Sequence, residues 1–129
     1  MGRSTSTADF DKDQWVLGTL GESSAAAWYE EMGYEIVQLG YRTKRGEIDV
    51  IARAQDGTIV FVEVKTRRGR SFGAAEAVTE RKLKRIRAAA SEWLMDQPYT
   101  PVRFDVVEVL YDGHEFFHRL YQGVEDGAC

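Results

Sequence analysis

Two neighbouring segments constrain the fold of this chain more than any other feature, because each combines strand-forming apolar residues with charged residues at alternate positions of one part of the segment. The first runs from Glu47 to Arg53 and the second from Thr58 to Thr66, and the turn-forming pair Asp56-Gly57 lies between them. A short turn between two such segments predicts an antiparallel hairpin. The second segment contains Ile59-Val60-Phe61-Val62, an apolar run that predicts a central strand buried on both faces.

The register of this hairpin decides whether its acidic side chains can meet. Side chains alternate along a strand, so Glu63 and Lys65 share one face. A two-residue Asp56-Gly57 loop would put the side chain of Asp49 on the other face, since a one-residue slip reverses every side chain. A three-residue loop over 55–57, a type I turn closed by glycine in the left-handed region, places Asp49 opposite Glu63. We predict this three-residue loop or an equivalent bulge.

The rest of the chain predicts one α/β domain with the element order α-β-β-β-α-β-β. The first helix is predicted to end near Gly33, and its start is open between a capping box at Thr19 and an upstream extension through Val16 and Leu17. The second helix is predicted to run from Thr79 or Glu80 to about Gln97, before Pro98. The other strands are predicted at Tyr34 to Tyr41, at Val102 to Leu110 and near Glu115 to Leu120. Residues 1–13 are expected to form a disordered tail, residues 14–122 a single domain and residues 123–129 a flexible tail.

The charge distribution favours a nucleic-acid partner, although the net charge is −4. From Gly40 to Arg87 the chain carries thirteen Lys or Arg against six Asp or Glu, while the remainder is strongly acidic. A basic centre of this kind suits a surface that faces phosphates. No segment has the apolar length of a membrane span, and the single cysteine, Cys129, has no internal partner. We therefore expect a cytoplasmic protein without a membrane partner.

Asp49, Glu63 and Lys65 together carry the groups that metal-assisted phosphodiester hydrolysis requires. Mg²⁺ or Mn²⁺ prefers carboxylate and carbonyl oxygens, so Asp49, Glu63 and the backbone carbonyl of Val64 are the predicted ligands. Lys65 is predicted to neutralise the scissile phosphate or to orient the attacking water. The alternative is a cross-strand ion-pair network of the same side chains. Their apolar neighbours imply burial, and buried carboxylates need a partner, which favours the metal.

Basic residues flank both acidic segments and are the candidates for phosphate contacts. The candidates in the two flanking loops are Lys44, Arg45, Arg67, Arg68 and Arg70. Lys82 in the second helix is predicted to extend this surface. The alternatives are a solvated loop and an ordinary charged helix face.

Several motifs together make the sequence similar to a known family. The motifs are Gly21-Glu22, Gly46 to Ala52, Phe61 to Arg67, Phe72-Gly73, Lys82 and Arg103 to Val107. They resemble the YraN-type bacterial family, an uncharacterised, endonuclease-like group in the PD-(D/E)XK nuclease superfamily that is akin to archaeal Holliday-junction resolvases. The resemblance runs from about Leu17 to Leu120. It implies a restriction-endonuclease-like α-β-β-β-α-β core with a mixed central sheet and helices on both faces, and Asp49, Glu63 and Lys65 as catalytic residues.

Glu22 has two interpretations. It matches the first-helix glutamate that assists the site in resolvase-like proteins, and Thr19 to Glu22 also has the spacing of a capping box. For Asp105 the favoured interpretation is a pairing with Arg103 on the same strand face. Two further residues, His114 and His118, are expected at the surface rather than as metal ligands.

The resulting functional expectation is a metal-dependent endonuclease acting on DNA, with branched or damaged DNA as candidate substrates. The alternative is a non-catalytic nucleic-acid-binding module that retains the nuclease fold. RNA is an open alternative to DNA, since no recognition module in the sequence decides between them. The similarity to resolvases also implies a homodimer, without indicating an interface.

Overall fold

A computed structural model of the chain, which describes residues 7–72 and 79–124, contains a five-stranded sheet with one helix on each face. The elements are α1 (Thr7–Glu31), β1 (Glu35–Arg42), β2 (Glu47–Arg53), β3 (Ile59–Arg68), α2 (Glu80–Leu94), β4 (Val102–Tyr111) and β5 (Phe116–Tyr121). The predicted element order and the predicted α-β-β-β-α-β core are confirmed.

The strands lie in their chain order, from β1 to β5. All neighbouring pairs are antiparallel except β3 and β4, which are parallel. A parallel pair needs a long crossover connection, and α2 supplies it here. The sheet is therefore mixed, as predicted, and β3 is its central strand, buried from Ile59 to Val64.

The two helices cover opposite faces of β3, because its side chains alternate between them. On the α1 side Tyr29 of α1 packs in one cluster with Val60. On the α2 side Leu83 and Ile86 of α2 pack in a second cluster with Phe61. This burial on both sides explains the continuous apolar run of β3.

The β2–β3 hairpin has the predicted three-residue loop. The Ala54 N–H donates to the Thr58 carbonyl at 2.8 Å, and the Gly57 N–H donates to the Ala54 carbonyl at 2.9 Å. Gly57 has a φ of +93°, the left-handed conformation that this loop requires. Pairing continues along the hairpin as far as Val50 with Val62, and Asp49 follows at the point where the pairing ends.

The described structure extends past the predicted domain bounds of residues 14–122 at both ends. The first helix begins at Thr7, inside the predicted tail, and between Thr7 and Asp13 there is neither proline nor glycine to stop it. At the other end, Val124 is buried in the core beside α2, and its N–H donates to the Phe104 carbonyl at 2.8 Å. Burial of this apolar side chain holds a position that was expected to be flexible. Residues 1–6, Gly73 and residues 125–129 with Cys129 lie outside the described residues.

Neither α1 nor α2, as far as the chain is described, has the length and apolar composition needed to cross a bilayer.

Candidate functional site

Asp49 lies where β2 and β3 separate. Backbone pairing between the two strands ends at Val50, and the Asp49 Oδ2 instead accepts the N–H of Val64 at 2.8 Å. The alternation of β2 also changes here: Val50 packs on the α1 side, whereas Ile48 packs on the α2 side. The carboxylate of Asp49 therefore fills the gap between the strands.

Glu63 is buried, with 4% of its surface exposed, and it faces α2. Its Oε2 lies 2.5 Å from the Nζ of Lys82. Lys82 belongs to the first turn of α2, where its N–H donates to the Oγ1 of the N-cap residue Thr79 at 3.2 Å. Lys82 was predicted on an outer phosphate-binding surface, but the structure directs it at a site carboxylate.

Lys65 lies on the same face of β3 as Glu63 and close to Lys82. Burial and the neighbouring charge of Lys82 lower the pKa of Lys65. Burial acts in the same direction on Lys82, but its hydrogen bond and charge interaction with Glu63 outweigh burial and raise its pKa. The two lysines therefore differ: Lys82 is held by Glu63, and Lys65 is the more weakly compensated cation.

Glu22 also faces the site, from α1. Burial and the nearby carboxylate of Asp49 raise the pKa of Glu22 to about 7. The capping-box explanation for Glu22 is wrong, because α1 already begins at Thr7 and Glu22 lies in its interior. The hydroxyl of Thr19 instead donates to the Trp15 carbonyl at 3.0 Å.

Burial raises the pKa of all three carboxylates, those of Glu22, Asp49 and Glu63. Burial and the charge of Asp49 raise the pKa of Glu63 to about 8, in spite of the contact with Lys82. Burial likewise raises the pKa of Asp49, although the Val64 N–H opposes the shift. Buried acidic groups that repel one another are stabilised by protons or by a bound cation. Their hard oxygen donors fit Mg²⁺ or Mn²⁺.

The described side chains do not form a preorganised metal-binding site in this structure. Within residues 7–72 and 79–124, no three Asp, Glu, His or Cys side chains already surround one point at ligand distance. At Glu63 the ammonium of Lys82 already occupies one carboxylate oxygen, Oε2. A cation that binds at this oxygen has to displace the ammonium.

The stability of the metal-free protein is expected to fall as the pH rises from about 4.5 to about 8. In the folded protein the pKa values of Glu22 and Glu63 are raised from 4.5 to about 7 and about 8. In this window the native state holds protons that the unfolded chain has released, so increasing pH favours unfolding. Urea unfolding at a series of pH values in EDTA would measure the free energy of unfolding.

The matched variants for this measurement are both in α1. Glu22→Gln is expected to flatten the decline below about pH 7, whereas Glu30→Gln, at an exposed position, is expected to leave the profile unchanged. A wild-type profile that is flat or rises across this window would contradict the raised pKa values.

The predicted phosphate contacts lie at the same end of the sheet as the carboxylates, because β2 begins where its antiparallel partner β3 ends. Lys44 and Arg45 are exposed in the turn before β2. Arg67 and Arg68 are exposed at the end of β3, and Arg70 follows in the loop. The fold therefore places these five basic residues at the end of the sheet where the gap at Asp49 opens.

Two of these arginines make contacts within the protein. The Nη2 of Arg67 donates to the Ser71 carbonyl at 3.0 Å and lies 3.4 Å from the Oε2 of Glu108. The guanidinium of Arg68 lies 5.6 Å from the centre of the Tyr111 ring. Both arginines are nevertheless exposed, and these contacts orient the end of β3 and the loop that follows it.

Glu108 is a buried acidic residue of this face that the sequence analysis missed. It pairs in register with Lys65 across the parallel β3–β4 ladder and accepts a hydrogen bond from the Tyr121 hydroxyl at 2.9 Å. One feature of the sequence marks it: Glu108 stands among valines, as Glu63 does. Its place beside Lys65, however, follows only from the pairing of β3 with β4.

Asp105 belongs to a different network. As predicted, it pairs with Arg103, whose Nε donates to it at 2.9 Å, and it also accepts the Tyr29 hydroxyl at 2.7 Å. His114 is exposed, as expected. His118 is half-buried instead: its ring stacks on Trp28 with centroids 4.8 Å apart.

Comparison with known proteins gives a consistent result. The family model described as "Uncharacterised protein family UPF0102" matches residues 21–109, which include Glu22, Asp49, Glu63, Lys65 and Lys82. A UPF0102 protein of Corynebacterium efficiens is 51% identical over 116 residues, covering 87% of this chain and 93% of the relative. A UPF0102 protein of Corynebacterium diphtheriae is 46% identical over 114 residues, covering 88% and 93%. One of Rhodococcus jostii is 50% identical over 102 residues, covering 77% and 85%.

Proposed function

This chain belongs to the uncharacterised protein family UPF0102, and we propose that it is a metal-dependent endonuclease that hydrolyses phosphodiester bonds in DNA. Membership confirms the predicted YraN-type resemblance, but the names of the relatives state no activity. The observation that carries the proposal is the convergence of Asp49, Glu63 and Lys65 at the gap where β2 and β3 separate.

Asp49, Glu63 and the Val64 carbonyl are the proposed ligands for Mg²⁺ or Mn²⁺. The N–H and C=O of one strand residue point to the same side of the strand. Because the Val64 N–H is directed at Asp49, its carbonyl also faces the gap. When bound, the cation would supply an activated water and neutralise charge on the scissile phosphate.

The other residues bind and orient the nucleic acid and the water. Lys65 contributes positive charge at the scissile phosphate, and Glu22, through its exchangeable proton, orients the water. The flanking phosphates are contacted by the basic residues Lys44, Arg45, Arg67, Arg68 and Arg70.

A homodimer and a cytoplasmic location stay predictions from the sequence.

Lys65→Met is expected to reduce cleavage by about 10²- to 10³-fold, because it removes one charged group from the transition state and keeps a similar shape. A panel of labelled branched, duplex and single-stranded DNA and RNA, incubated with Mg²⁺ or Mn²⁺, would measure the activity. The wild-type protein is expected to cleave DNA in the panel.

Lys84→Met is the control, since it removes the same charge from an exposed position of α2. It is expected to cleave as the wild type does. Equal cleavage by the Lys65→Met variant would assign the activity to a contaminant or to another site. If the wild-type protein cleaves RNA and no DNA in the panel, then RNA and not DNA is the substrate.

A non-catalytic nucleic-acid-binding module is the second candidate. It is favoured by the contact between Lys82 and Glu63, which neutralises a proposed metal ligand within the protein itself. This function predicts salt-sensitive DNA binding that survives Asp49→Ala. Calorimetric titration with Mn²⁺ in the presence of DNA separates the two candidates, because absent metal binding would support the module.

A further inference from the structure

Lys82 makes the shortest contact of the site, with the carboxylate that the proposed function assigns to the metal. We propose that Lys82 is an internal substitute cation: it occupies Glu63 until a divalent ion binds, and its displaced ammonium then contacts the phosphate backbone of the nucleic acid. The proposal rests on the proposed function and adds to it a coupling between metal binding and nucleic-acid binding.

The ammonium of Lys82 and a metal ion compete for the same buried carboxylate. The Nζ of Lys82 lies 2.5 Å from the Oε2 of Glu63, and the Glu63 side chain is only 5% exposed. A buried carboxylate of this kind has little solvent on another side to which a second cation could bind. Two cations at one carboxylate also repel each other strongly in a partly buried site. Metal binding therefore displaces Lys82.

The side chain of Lys82 can leave without moving its helix. Its side chain is 40% exposed, on a flexible four-carbon stem. The start of α2 is held separately, by the N-cap Thr79 and by burial of Leu83 in the core. The displaced ammonium therefore moves into solvent at the end of the sheet that carries the basic loops.

Lys82 also has a role before the metal binds. Glu63 and Asp49 are close together and largely buried, and uncompensated buried charges are strongly destabilising. Lys82 compensates Glu63 in the metal-free protein. Once the metal has replaced it, the surface gains a free positive charge near the scissile phosphate, so metal and nucleic acid reinforce each other's binding.

The first test is Mn²⁺ binding without nucleic acid, measured by electron paramagnetic resonance on the wild type, Lys82→Met and the exposed control Lys84→Met. All three proteins are titrated at the same series of pH values, and their affinities are compared where they no longer change with pH, because a proton on Glu63 competes with Mn²⁺. The proposal predicts about tenfold tighter binding by Lys82→Met, because the competing cation is gone, and no change for Lys84→Met. Unchanged or weaker binding by Lys82→Met would overturn it.

The same titration distinguishes failure of the Lys82 proposal from failure of the proposed function. If the wild type binds Mn²⁺ and Lys82→Met binds it equally, the substitute-cation proposal fails and the proposed function stands. If neither protein binds Mn²⁺, both fail. Lys82→Arg retains the positive charge and is expected to bind Mn²⁺ about as the wild type does, which separates the effect of the charge from that of the changed side chain. Circular dichroism of Lys82→Met under the same conditions checks that this variant is folded.

The second test measures binding of a fluorescent four-way DNA junction over a series of salt concentrations, in EDTA and in Ca²⁺. One phosphate contact changes the logarithmic salt slope by about 0.9. The slopes of the wild type and Lys82→Met are expected to agree in EDTA and to differ by about one contact in Ca²⁺. A difference in both conditions or in neither would overturn the proposal.

Discussion

Asp49→Asn is expected to reduce DNA cleavage by about 10³-fold and, at the same time, to stabilise the metal-free protein. Asparagine has the same shape, and its carbonyl oxygen can still accept the Val64 N–H. It removes the charge that helps to raise the pKa values of Glu63 and Glu22. Loss of this repulsion is expected to raise the melting temperature in EDTA by about 4 °C, if it contributes about 1 kcal/mol.

Cleavage of the DNA panel and thermal unfolding in EDTA would check both effects on one preparation. Asp56→Asn is the control, because Asp56 is exposed in the hairpin turn and its Oδ1 accepts the Thr58 N–H, an interaction that asparagine retains. It is expected to change neither quantity. A melting temperature of Asp49→Asn below that of the wild type would contradict this. It would show that the surroundings stabilise the charge of Asp49 in the metal-free site.

This expected exchange of stability for activity follows from the geometry of three carboxylates. Burial raises the pKa of each of them, and the charge of Asp49 adds to the shift at Glu22 and Glu63. A protein selected for stability alone would replace at least one by a neutral group. Their retention in one gap is what a site for a divalent cation requires.

The hairpin register could be predicted from the sequence because its determinants are local. The turn over 55–57 and the alternation of the two strands on either side lie within a short stretch of chain. Together they align Asp49 with Glu63 and Lys65 without reference to the rest of the fold. The first part of the site is therefore encoded almost entirely by neighbouring residues.

The inward position of Lys82 and the place of Glu108 could not be predicted in the same way. The contact of Lys82 with Glu63 depends on where α2 crosses the sheet, and the pairing of Glu108 with Lys65 depends on the parallel β3–β4 ladder. Both are contacts between distant parts of the chain. On an isolated helix, Lys82 looks like any charged surface residue.

The start of α1 was missed for a local reason. The predicted boundary near Asp13 rested on a polar, acidic composition, and composition of this kind is also compatible with an exposed helix. The capping-box interpretation of Glu22 had a separate cause, the spacing of Thr19 and Glu22. Once α1 extends to Thr7, Glu22 has no helix end to cap, and its side chain lies near Asp49.

Gly21→Ala is expected to lower the free energy of unfolding by about 1–3 kcal/mol, because α1 lies unusually close to β3 at this residue. A Cβ at Gly21 would lie 2.8 Å from the Cβ of Thr66 and closer still to its Oγ1. Relief of the clash moves α1 away from the sheet and carries the adjacent Glu22 away from Asp49. We therefore also expect weaker cleavage, measured beside the urea unfolding curve.

Gly18→Ala is the matched control, since it makes the same change one turn earlier in the same helix. A Cβ at Gly18 would meet nothing within 4 Å, so alanine is expected to stabilise the protein by about 1 kcal/mol through its higher helix propensity. A lower free energy of unfolding for Gly21→Ala and a higher one for Gly18→Ala would show that the close approach of α1 to β3 is at Gly21. In combination with Thr66→Ala, which removes the Oγ1 and Cγ2 that clash, Gly21→Ala should be less destabilising. If Gly21→Ala stabilises as Gly18→Ala does, then α1 does not need glycine to bring Glu22 to the site.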